Sequence, residues 1–249
     1  MSGHSKWSTI KRQKGVADAQ RGQLFTKLSK EIIISAKQGG ADINANFRLR
    51  LAVQKARENN MPADNIQRAI ARATGAGDGV ELSEITYEGY GPAGTALMVE
   101  VATDNRNRTV AEIRNVFTRA GGGLGETGSV AWNFESRGVI SVVPNGKDPD
   151  EVALHAIDAG AEDVQVGDDS IDVYTQPSDL EKVKKALEDN GVKVESAENA
   201  RVAKTTVQLD EKNAIQTLRL VEKLESLDDV QKVYFNAEFS DDVLAAYTS

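Results

Sequence analysis

The apolar spacing of this chain changes period once, at the glycine-rich segment Gly75-Ala76-Gly77-Asp78-Gly79, and that change limits what can fold on either side. Before it, apolar residues recur at steps of three and four. After it, short alternating runs interleave with helical ones. A helix buries a stripe with a period near 3.6 and a strand buries every second residue, so the first part reads as helical and the remainder as sheet and helix together.

Residues 1–15 show no stable apolar period and read as a basic arm. Leu24, Phe25, Leu28, Ile32 and Ala36 predict an amphipathic helix over about 17–38, ended by Gly39-Gly40. A second helix over about 45–59 turns Phe47, Leu49, Leu51, Val53 and Ala56 inward and breaks at Asn59-Asn60-Met61-Pro62. Pro62 suits the first turn of a third helix, Asp64 complements its positive end, and Ile66, Ala69, Ile70 and Ala73 form its apolar face. These three helices make a small bundle, with Gly75–Gly79 as a linker.

In the body, Thr95–Thr103 reads as a strand, Thr109 with Glu112 as a capping box for a helix over about 110–120, and Ser129–Phe134 as a strand. From Gly138 the pattern is strand 138–143, helix 149–159, strands 163–167 and 170–175, helix 178–190 and strand 192–201, the βαββαβ order of a ferredoxin-like fold. Strand 204–209, helix 211–226 and strand 230–236, joined to 95–134, complete a second such set. The expected fold class is therefore α+β: an N-terminal three-helix bundle followed by two ferredoxin-like α/β domains, one inserted in the other. The expected boundaries are 1–79, then 80–137 plus 204–249, with 138–203 inserted. One larger mixed sheet is the alternative.

Charge divides at the same place. Residues 1–79 carry 14 Lys and Arg against 6 Asp and Glu, a net +8; the other 170 carry 16 against 32, a net −16, giving the total of −8. Attraction to a polyanion depends on the local field, so the head can be drawn to phosphate while the body repels it. There is no cysteine, which excludes disulfides, thiolate chemistry and Cys-based metal sites. No run approaches the ~18 apolar residues of a membrane span, and the N-terminus lacks the apolar stretch of a signal peptide. A bacterial cytoplasmic protein is the simplest reading.

The candidate ligands for phosphate are Lys6, Lys11, Arg12, Lys14, Arg21, Lys27, Lys30 and Lys37, opposed along that stretch only by Asp18 and Glu31. Trp7 sits among them, either stacked on an unpaired base or, as an aromatic more usually does, anchoring the arm. Arg48, Arg50, Arg68 and Arg72 add charge to the second and third helices, and 64–73 as a recognition helix is a weak further option. Arg106 and Arg108 lie between a strand and a helix N-terminus, where an anion or merely a polar turn is expected. The run Gly121–Gly128 resembles a phosphate loop only superficially, because it follows a helix, lacks the P-loop Lys and carries Glu126. The two histidines, His4 and His155, have no visible nucleophile partner, and no carboxylate pair or metal spacing is recognisable. Neither an enzyme nor a cofactor or metal is expected.

Several motifs together identify a resemblance. Gly3-His4-Ser5-Lys6-Trp7, Asp18-Ala19-Gln20-Arg21-Gly22, Phe25-Thr26-Lys27-Leu28, Asn59-Asn60-Met61-Pro62 with Asp64-Asn65-Ile66, Tyr87-Glu88-Gly89-Tyr90-Gly91-Pro92, Thr103–Thr109, and Gly125-Glu126 with Gly128-Ser129-Val130 resemble YebC-type proteins over nearly the whole chain. The resemblance implies a helical N-terminal domain and two α/β domains. It also implies a non-enzymatic regulator, described for some members as a DNA-binding transcriptional regulator. For others, including the mitochondrial translational activator of cytochrome c oxidase, it implies action on the ribosome, helping it through proline-rich stretches. The flexible arm and scattered bases suit shaped RNA better than base-edge readout, so ribosomal RNA is the preferred partner and DNA the runner-up. A protein-interaction adaptor using the acidic body is the alternative of another class.

Overall fold

The structure is a computed structural model that describes Trp7 and residues 18–75, 81–167 and 170–248. The basic arm apart from Trp7, and the linker beyond Gly75, lie outside the described residues. The described chain forms two compact units, one of 18–132 with 206–248, the other of 133–205 with Trp7.

In the first unit, α1 (Asp18–Gly39), α2 (Phe47–Glu58) and α3 (Ala63–Ala73) enclose a core of Leu28, Ile32, Leu49, Val53, Met61, Ile66 and Ala69. The joint between α1 and α2 is made by Asn46. Its side chain accepts from the Leu49 N–H at 3.0 Å and donates to the Ser35 and Gly40 carbonyls at 2.8 Å each. A Cβ on Gly39 would lie 2.6 Å from that amide, so only glycine fits there. Pro62 stands at the N-cap of α3 rather than inside its first turn.

The chain continues as β1 (Ser83–Tyr90), β2 (Ala96–Thr103), α4 (Arg106–Arg119) and the two-residue β3 (Gly123–Leu124). The inserted unit follows: β4 (Phe134–Val143), α5 (Pro149–Ala159), β5 (Asp163–Val166), β6 (Ile171–Thr175), α6 (Leu180–Asp189) and β7 (Lys193–Ala203). The chain then returns to the first unit through β8 (Val207–Gln208), α7 (Glu211–Glu225), β9 (Val230–Phe235), β10 (Ala237–Glu238) and α8 (Asp241–Thr248).

The sheet of the inserted unit has the order β5-β6-β4-β7, with every neighbour antiparallel, which is the ferredoxin-like arrangement. Ile140, Val142, Val152, Ile171, Val173, Leu180, Val183 and Leu187 are fully buried in it. Asn133 clamps its ends: the side-chain amide donates to the Thr205 carbonyl and its oxygen accepts from the Thr205 N–H, both at 2.9 Å. The compact unit includes Asn133–Thr205.

The other sheet has the order β3-β1-β2-β9, again antiparallel. Its strands differ from those expected. β1 is absent from the sequence reading, although Ile85 and Tyr87 alternate with Glu84, Thr86 and Glu88; it forms a hairpin with β2 through Gly91–Thr95. Ser129–Phe134 is not a strand of this sheet. Residues 127–130 turn, Ala131–Asn133 form a short 3-10 segment, and Phe134 opens β4 of the inserted unit. The turn is imposed by the Glu88 carboxylate described below. Strand 204–209 shrinks to β8, which pairs in parallel with β10 in a separate sheet. Thr109 is not the cap of α4: Asn105 takes that role, accepting from the Arg108 N–H at 3.0 Å, because the Thr109 hydroxyl is engaged with a buried carboxylate. Among the described residues, no helix is long and apolar enough to cross a membrane.

Candidate nucleic-acid interface

Three of the cations expected to meet phosphate, Lys27, Lys30 and Arg48, bond from the helices to the α/β part of their own unit, and a fourth, Arg108, bonds within that part. The centre of this junction is Asp229, just before β9, 3% exposed. Its carboxylate accepts from Lys30 Nζ on α1 at 2.5 Å, from Arg108 on α4 at 2.8 Å, and from the Thr109 and Thr103 hydroxyls at 2.6 and 3.1 Å. Burial pushes such a carboxyl up, but the hydrogen bonds from Arg108, Lys30 and Thr109 and the Lys30 charge outweigh it and hold Asp229 well below the carboxylate range. Lys30 also donates to the Asp228 carbonyl, and Lys27 to the carbonyl of Glu225 at the end of α7. Farther along α1 and α2, Arg48 bonds Glu31 at 3.1 Å, Gln38 at 2.6 Å and Glu84 of β1 at 2.7 Å, and Gln38 itself donates to Glu84.

These bonds give Lys27, Lys30 and Arg48 a docking role, and Arg108 a part in holding the shared carboxylate, that the sequence could not display. Arg50 is also drawn inward. It donates to the Ile43 and Asn44 carbonyls and lies 5.3 Å from the Phe47 ring. Arg106 is exposed and reaches Ser83 at 3.3 Å; Arg108 is exposed too, with its guanidinium on Asp104 and Asp229.

The exposed cations on the helices include Arg21, Lys37, Lys55, Arg57, Arg68 and Arg72. On α3, Ile66, Ala69 and Ile70 face the core, which turns Arg68 and Arg72, one helical turn apart, to water. Arg68 folds back on the Asp64 carbonyl and the Asn65 side chain, whereas Arg72 projects from the last turn. Arg57 was not singled out from the sequence; it is exposed near the end of α2. Lys6, Lys11, Arg12 and Lys14 lie outside the described residues.

Trp7 is buried, 3% exposed, as an anchor would be, but it belongs with 133–205 and not with the helical bundle. The second tryptophan behaves oppositely: Trp132 is 67% exposed. It follows the glycine-rich loop, whose amides serve an internal anion. Glu88, 6% exposed, accepts from the N–H groups of Gly128, Val130 and Ala131 at 2.7, 2.8 and 2.8 Å. Burial would raise its pKa, yet these three donors lower it below the ordinary value. The loop therefore has anion-binding geometry already filled by the protein's own carboxylate. Among the described residues, no group of three or more His, Cys, Asp or Glu could hold a metal ion.

Comparison with known proteins agrees with this architecture. Residues 5–76 match the family model described as the TACO1/YebC protein N-terminal domain, and residues 82–237 match the TACO1/YebC second and third domain. A probable transcriptional regulatory protein of Dehalococcoides mccartyi is 55% identical over 249 residues, covering 100% of this chain and 99% of the relative. One from Roseiflexus castenholzii is 56% identical over 254 residues, covering 100% of both. The crystal structure of a conserved hypothetical protein from Aquifex aeolicus superposes with a TM-score of 0.83 at 45% identity, over 90% of this chain and 93% of that one. Helical head, paired sheet domains and matches along both parts together place the chain in the TACO1/YebC family.

Proposed function

We propose that the protein is a non-enzymatic regulator of gene expression that binds nucleic acid through its N-terminal helices and arm, with the ribosome as its working partner. The observation that carries this reading is the charge division, +8 over residues 1–79 against −16 over the rest, combined with the exposure of Arg57, Arg68 and Arg72 on the helices. The acidic body keeps the contact local to the head. Assistance to translation of proline-rich stretches is the role the family resemblance implies for such a contact. The names of the relatives favour a second reading, a transcriptional regulator that binds DNA.

Sedimentation with ribosomes across a salt series tests the reading. Charge reversal at Lys11, Arg12 and Lys14, and separately at Arg68 and Arg72, is expected to weaken association and flatten its log–log salt dependence by about 0.7–0.9 per lost phosphate contact. Lys27 and Lys30 are unsuitable for this purpose, since reversing them attacks the junction at Glu225 and Asp229. Unchanged affinity and slope in both variants would remove the helical head from the interface. Preference for duplex DNA over ribosomes in the same salt series would favour the transcriptional reading.

A further inference from the structure

Trp132 and Tyr90 donate to one and the same acceptor, the Ser129 carbonyl, through the indole N–H at 2.9 Å and the phenol O–H at 2.8 Å. Each ring has its polar tip tied down and its body in water, Trp132 at 67% and Tyr90 at 42% exposure. The support beneath them is rigid. Glu88 holds the N–H groups on both sides of Ser129. Gly122 lies so close to the Tyr90 carbonyl that a Cβ would come within 2.3 Å of its oxygen. Two amphipathic rings fixed on a stiff loop lose little freedom on binding, which is the condition for a preorganised contact.

We propose that Trp132 and Tyr90 form a stacking platform for an unpaired nucleobase. This rests on the nucleic-acid reading above and adds a contact on the central α/β domain to the one on the helices. The surroundings select a base over other occupants. A phosphate is disfavoured, because Glu88 already occupies the loop amides and exposed Glu126 adds negative charge. An apolar protein helix would require an aliphatic stripe, but the loop supplies Gly125, Glu126, Thr127 and Gly128; among the described residues, the other large exposed apolar side chains, Leu154, Ile157 and Val166, are in the inserted unit. A neutral flat base face meets neither objection. Arg119, exposed at the end of α4 where the loop begins, supplies a cation at its edge. Readers of single strands combine aromatic platforms with cations in this way.

The test uses the full chain and a short single-stranded oligouridylate, followed by tryptophan emission and by anisotropy of labelled RNA. Trp7 is buried, so an emission change on binding reports Trp132. Wild type is expected to show quenching that is absent in Trp132→Phe, and Trp132→Ala to weaken binding roughly five- to a hundred-fold. Trp132→Phe, which retains a ring, should keep part of the affinity and serves if Trp132→Ala fails to fold. Binding without quenching, and equally tight in both variants, overturns the platform while leaving the functional reading in place. Absence of wild-type binding to both oligouridylate and ribosomes overturns both. Loss of ribosome sedimentation in Trp132→Ala with intact oligouridylate affinity also overturns base stacking, since the rings would then be meeting protein.

Discussion

Asp229 shows most directly how a single side chain can redirect its neighbours. Two cations from different elements and two threonine hydroxyls converge on its carboxylate, which is buried with Lys30 while Arg108 reaches it from the surface. Removing one member of such a group leaves the others buried and unmatched, which costs more than the pair's net worth when intact. Asp229→Asn is therefore expected to lower unfolding free energy by about 3 kcal/mol, the lower end of what breaking a buried pair costs, because Arg108 keeps Asp104 and water. Urea denaturation measures it. The pH dependence has a definite sign. A carboxyl whose folded pKa is depressed contributes its full stability above the unfolded value near 3.8 and loses it as pH falls through the folded one. The wild type should show a steeper fall below about pH 4 than Asp229→Asn; parallel acid limbs would contradict the depressed pKa. None of this was legible beforehand, since Lys30 and Asp229 are 199 positions apart.

At the scale of elements, the glycine-rich segment is a loop organised from outside itself. Its turn depends on a carboxylate from β1, and its close packing depends on glycines where no Cβ fits. Glu88→Gln is expected to cost about 1–3 kcal/mol, because an amide oxygen cannot serve three N–H donors and an NH2 group would face them. Faster hydrogen exchange at Gly128, Val130 and Ala131 would locate the loss; unchanged exchange there would refute the clamp. Gly122→Ala should also destabilise, by about 1–3 kcal/mol, because the added methyl meets the backbone oxygen of Tyr90 at 2.3 Å. Helices were the legible elements: α1, α2 and α3 end within about two residues of where apolar spacing and Gly or Asn-Pro signals put them. The strand β1 was not read from the sequence, and Ser129–Phe134 misled because alternation cannot reveal a carboxylate 40 residues away that turns the chain.

At the scale of the whole molecule, the insertion of 133–205 into the first unit is a matter of two chain crossings held by Asn133 and Thr205. A ferredoxin-like sheet with both helices packed on it buries its own core, so the excised segment 133–205 is expected to fold cooperatively by itself. A thermal transition of the fragment measured by circular dichroism checks this; a chain without one would mean that the unit depends on the rest. Within the inserted unit, the pairing of β4 with β7 runs past Gly138 to join Phe134 with Ala203, a register visible only once the strands meet.

The sequence by itself determined the helical head, the ferredoxin-like order of the insertion, the contrast of charge and the absence of cysteine, because periodicity, turn residues and composition are local properties. Tertiary structure decided what each charge is for. Lys27, Lys30, Arg48 and Arg108 resemble Arg57 and Arg72 in the sequence, yet the first four bond partners on β1, α7, the turn before β9 or their own unit's helices, even though Arg48 and Arg108 stay exposed. It also exchanged the roles of the tryptophans, burying Trp7 and leaving Trp132 exposed. The reason is the same in both cases: a side chain's chemistry is fixed by its residue type, but its availability depends on which remote groups the fold brings within hydrogen-bond reach.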